Sequence, residues 1–120
     1  MKREFQITFD RLKSVLKKYE KNHTITSNIK DTYNLIAGYS EKYKQDIFFG
    51  GVQIKKNYVS FYLMPVYINP KLLDGISPEL KKRMQGKSCF NFKTIDKPLL
   101  NELAGLTKKG FEFYKKEKTF

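Results

Sequence analysis

The rarest chemistry-bearing side chains in this chain are one histidine, His23, and one cysteine, Cys89. A lone cysteine can form no intramolecular disulfide and no multi-cysteine metal site. Cys89 stands beside Phe90 in an alternating stretch, the setting of an inert, half-buried thiol rather than of a nucleophile paired with His23. His23 closes the first helical stretch, where the expected role is a surface residue near the negative end of the helix dipole. The carboxylates, among them Asp10, Asp31, Glu41, Asp46 and Asp96, are scattered, whereas a hard metal needs them clustered. Gly50–Gly51 is followed by no Gly-Lys-Ser/Thr and no helix start, so it is no phosphate loop. With no nucleophile, triad order or paired acid and base, the expectation is a protein that is not an enzyme and takes no cofactor or metal.

The charge is the next feature. Lys and Arg number 24 against 12 Asp and Glu, a net +12. Such a field attracts polyanions, and Lys13, Lys17 and Lys21 fall on one helical face as a candidate polyanion-binding row. Against this, only Arg3, Arg11 and Arg83 are arginines, the lysine-heavy bias of an AT-rich genome, and such a row is equally a solvated face. Weak, sequence-independent nucleic-acid binding is the alternative that the charge supports.

The elements that must position these residues read as one domain over residues 1–120. A chain of this length buries roughly two-thirds of its unfolded surface. With 40% hydrophobic and 15% aromatic residues it is globular, and without Trp its core rests on Phe and Tyr. The opening residues hold no apolar signal segment, and no apolar run is long enough to span a membrane. The expected compartment is the cytoplasm.

Phe5, Phe9, Leu12, Leu16 and Tyr19 recur at helical spacing, with Thr8 as a cap if the helix starts late. Thr24–Ile29 and Thr32–Gly38 read as strands around Lys30–Asp31, with Tyr33, Leu35 and Ala37 on one face. Tyr39–Gln45 reads as a loop or a single helical turn. Ile47–Ile54 and Tyr58–Val66 read as a hairpin, with Asn57 at a turn position of positive φ and a bulge or close approach at Gly50–Gly51. Asn69–Pro70 opens a short helical turn. Ser77–Pro78 opens a helix that Gly86 ends. Ser88–Lys93 reads as a strand. Asp96 caps a last helix carrying Leu99, Leu103, Leu106, Gly110 and Phe113, and the tail from Lys115 should fray. The order helix–strands–helix–strand–helix predicts an α+β fold, an antiparallel sheet of about five strands flanked by helices.

The run from Val52 to Leu106 resembles the YdhG-like family of small bacterial proteins, a domain of unknown function. The matching parts are the arm YVSFYLMP, the loop VYINP, the helix ending in MQGK, the strand SCFNFK and the helix opened by Asp96 with its LLNEL. Gly86, Lys87, Phe90, Phe92 and Asp96 hold the family's places. The resemblance implies the sheet-and-helix fold shared with secretion-chaperone-like domains. Some relatives are described as frataxin-like iron chaperones, a second alternative. That role uses an acidic helix face, where this chain has Lys13, Lys17 and Lys21.

In such a fold Val59, Phe61, Leu63, Phe90 and Phe92 face the helices. Tyr58, Ser60, Tyr62, Asn91, Lys93 and Gln53 then share the other sheet face, aromatic area with a few polar groups, which suits a small molecule or a protein partner. An ordinary solvated face has the same pattern. The leading expectation is a cytoplasmic binding or interaction module, monomer or homodimer, with its ligand on that face.

Overall fold

The structure, a computed structural model, describes residues 3–117. It is α+β, with a six-stranded, wholly antiparallel sheet in the order β1-β2-β3-β4-β6-β5. The strands are β1 (Thr24–Ile29), β2 (Thr32–Ser40), β3 (Gln45–Ile54), β4 (Val59–Leu63), β5 (Met84–Gln85) and β6 (Cys89–Phe92). The helices are α1 (Arg3–Lys17), α2 (Met64–Ile68), α3 (Pro78–Lys81) and α4 (Lys97–Glu117). Among the described residues no helix is long and apolar enough to cross a membrane.

The periodicities of the sequence set the core. Phe5, Phe9, Leu12 and Leu16 of α1 meet Val52, Phe61, Leu63, Phe90 and Phe92 of the sheet and Leu103, Leu106 and Tyr114 of α4, all buried. The Thr8 hydroxyl bonds the carbonyls of Glu4 and Lys93, each at 3.0 Å. Thr8 is therefore a mid-helix residue tying α1 to the end of β6, not a cap. Arg11 adds a bond to the Ile95 carbonyl at 3.2 Å. The Asp96 carboxylate accepts from the Leu99 N–H at 3.0 Å, as expected of a cap.

Several boundaries differ from expectation. Beyond the expected five strands there is a sixth, β5, which pairs with β6. Gly86, at φ 79°, serves the turn between those two strands rather than ending a helix. Within Tyr39–Gln45 the expected single turn is residues 41–44, closed by the Lys44 N–H on the Ser40 carbonyl, while β2 runs on to Ser40 and β3 begins at Gln45. Lys44, not Asn57, takes the positive φ, at 55°. The bulge lies just before Gly50, at Ala37 and Phe49, where the β2–β3 register shifts. β4 ends at Leu63, not Val66, because Pro65 lacks the N–H that a strand needs and fits the first turn of a helix. In α4 the buried residue of the last turns is Tyr114, with Phe113 only half-buried. Lys115, Lys116 and Glu117 are helical; residues 118–120 of that tail lie outside the described residues.

Candidate binding face and groove

Strand register brings the expected polar face together. Gln53, Ser60 and Asn91 stand side by side across β3, β4 and β6, and the next row is Gly51, Tyr62 and Cys89. The core side of β4, Val59, Phe61 and Leu63, is fully buried, while Tyr62 is half-exposed on the opposite side. Tyr58 and Lys93, both exposed, lie just outside β4 and β6 and flank these rows.

Ser60 departs from the role of a contact residue, being only 1% exposed. Its hydroxyl donates to Asn91 Oδ1 at 2.7 Å, and the Cys89 thiol reaches the same oxygen at 3.4 Å. With that oxygen occupied twice, the amide N–H donors of Asn91 are the part of the group left to the surface. Burial raises the Cys89 pKa, against weaker lowering by Ser60, Lys55 and Tyr62. The thiol is therefore protonated at neutral pH and a poor nucleophile.

Gly50 and Gly51 are where the two faces of β3 are most closely approached. A Cβ on Gly50 would stand 2.9 Å from both a Leu16 methyl and the Tyr62 carbonyl, so α1 packs directly on the strand there. One on Gly51, on the opposite face, would strike the Asn34 amide and stand 3.1 Å from Cζ of Phe48. The Phe48 ring thus lies across the open face.

Phe48 also lines a groove of about 480 Å3. Tyr43, Gln45, Asp46, Ile47 and Phe48 of the β2–β3 hairpin form one wall; Met64, Tyr67 and Ile68 of α2 form the other. The hairpin wall is fixed by Ser40, whose carbonyl accepts from the Lys44 N–H at 2.7 Å and whose hydroxyl accepts from the Tyr43 N–H at 3.2 Å. The Asn69 N–H closes α2 on the Pro65 carbonyl at 2.8 Å. Tyr67 divides this groove from a second of about 460 Å3, lined in part by Leu73, Met84 and Lys87. Sequence reasoning missed the groove because it continued β4 through Pro65. A proline inside an expected strand was the available signal.

The other candidates are placed as follows. His23 is no surface residue: it is half-buried and stacked on Phe49, with ring centroids 4.3 Å apart. Lys13 of the lysine row is half-buried, bonded to Asn28 Oδ1 at 2.8 Å with its ammonium 4.9 Å from the Tyr33 ring centre; Lys17 and Lys21 are exposed. Among the described residues no three His, Cys, Asp or Glu side chains are grouped to hold a metal ion.

Comparison of the chain with models of known protein families, with curated proteins and with solved structures finds no match in any of the three.

Proposed function

We propose that this chain is a non-catalytic, cytoplasmic binding module whose ligand lies on the open sheet face and in the groove beside it. The observation that carries the reading is the position of Phe48. Its ring reaches the open face beside Gly51 and also lines the groove, so that one side chain belongs to both. The groove, at about 480 Å3, is of small-molecule size. Asn91, held by Ser60, adds a fixed polar group next to Tyr62. The protonated Cys89 thiol and the scattered carboxylates favour binding over catalysis. A YdhG-like fold is supported by the turn at Gly86, the Phe90–Phe92 alternation into the core and the Asp96 cap.

A ligand-observed NMR screen of small aromatic and polar molecules tests the reading. Hits are expected to weaken in Phe48→Ala and Tyr62→Ala variants that retain the wild-type amide spectrum. Hits indifferent to both substitutions would place binding elsewhere and defeat it.

A further inference from the structure

We propose that the groove between the β2–β3 hairpin and α2 takes a quaternary or alkylated ammonium group; this rests on the binding-module reading and names its ligand class. Tyr43, Phe48 and Tyr67 line one groove together with the carboxylate-bearing Asp46. Aromatic faces carry negative potential and hold cations within about 6 Å of the ring centre, and alkylated ammonium ions, which are weakly hydrated, suit such sites best.

The two tyrosines already show this behaviour toward cations of the chain itself. The Lys42 ammonium stands 5.4 Å from the centre of the Tyr43 ring, and that of Lys87 stands 5.9 Å from the Tyr67 ring. Both side chains also line the groove. Both are available to solvent, Tyr43 at 42% and Tyr67 at 54% exposed.

The remaining lining fits the alkyl part of such a ligand. Ile47, Met64 and Ile68 supply apolar surface, and Met64 adds an adaptable thioether. Asp46 supplies the one formal negative charge of the lining, and Gln45 a neutral amide beside it. The net charge of +12 repels cations at long range. That repulsion is screened beyond roughly 8 Å at physiological ionic strength, which leaves the Lys42 and Lys87 ammoniums as the cations near the tyrosine rings that the ring faces and the carboxylate must outweigh.

The test is NMR titration of the full chain with choline and with its neutral isostere, 3,3-dimethylbutan-1-ol. The expected result is saturable choline binding about tenfold tighter than that of the isostere, from the cation–π and charge contributions that the isostere lacks. Asp46→Asn should weaken choline severalfold and leave the isostere unchanged, and Tyr67→Ala should weaken choline while the amide spectrum shows a folded protein. Equal affinity for the two probes would overturn the ammonium assignment while leaving an apolar binding groove. Binding of neither would overturn it too, and the binding-module reading would then stand or fall on its own screen. Choline binding that survives Tyr67→Ala would place the cation outside this groove and also refute the proposal.

Discussion

The imidazole of His23 lies on the ring of Phe49, centroids 4.3 Å apart and planes 29° from parallel. Its Nδ1 is 2.6 Å from the Tyr19 carbonyl, to which it donates, while the buried Nε2 has no partner. Tyr19 and Phe111 complete the cluster. A second ring proton would be placed where nothing accepts it, at a cost typical of an unsatisfied buried donor.

The consequence is a dependence of stability on pH. Burial lowers the His23 pKa below the ordinary 6.5, with the Tyr19 bond opposing it. The unfolded chain therefore binds the proton more readily than the folded one. Stability from His23 is fully present above its unfolded pKa and is lost as pH falls from there through the lower folded value. Thermal melts should show the wild type losing stability below about pH 6.5, and His23→Phe, which keeps the stack, losing less over the same window. Equal slopes would show that His23 does not carry the effect.

The Ser77–Glu102 clamp gives a second prediction. Glu102 accepts from the Ser77 backbone N–H and from its hydroxyl, both at 2.6 Å, while the same hydroxyl accepts from the Leu80 N–H at 3.1 Å. One carboxylate of α4 thereby orients the cap of α3. Glu102→Ala should destabilise by about 1.5–3 kcal/mol, the range for hydrogen bonds to a charged group. Ser77→Ala should cost about 1 kcal/mol. In urea denaturation the double variant should cost less than the two losses added. Strict additivity would show that the clamp does not act as a unit.

Two glycines of α4 should respond with opposite tendencies. A Cβ on Gly105 meets nothing within 4 Å, so Gly105→Ala should stabilise by about 1 kcal/mol through helix propensity. A Cβ on Gly110 would come to 3.0 Å from Pro65, whose ring is rigid, at the contact of α4 with α2. Gly110→Ala should be the less stable of the two by about 1–3 kcal/mol, the usual overpacking penalty. Matching melting temperatures would mean that α2 moves freely against α4, and the groove wall it forms would be loose.

Legibility in the sequence followed the reach of each interaction. The helical spacing of Phe5, Phe9, Leu12 and Leu16 and the alternation of Phe61 and Phe90 report local geometry, and the structure buries all of them. Gln53, Ser60 and Asn91 could be put on one face because alternation fixes faces, and register then aligned them. The groove is made by residues from β3 and α2, and its existence depends on where Pro65 ends β4. His23 was misplaced for a similar reason. What buries it is Phe49 and Phe111, far along the chain, and no periodicity of its own segment announces them.

The two faces of β4 offer the sharpest separation of core from binding surface. Phe61 is fully buried between Val52 of β3 and Phe90 of β6, so Phe61→Ala should cost roughly 3–5 kcal/mol. Tyr62, one residue on, is half-exposed on the open face, opposite Gly51 of β3 and Cys89 of β6. Tyr62→Ala should therefore cost only about 1 kcal/mol, the ordinary size of a substitution outside the core. Thermal melts of the two variants decide between the alternatives. Comparable losses would mean that the open face is covered in solution, by a second copy or another segment, and the binding face proposed above would then be an interface. A small loss for Tyr62→Ala, together with weakened binding of the screened ligands, would fit a free face whose aromatic side chain contacts what binds there.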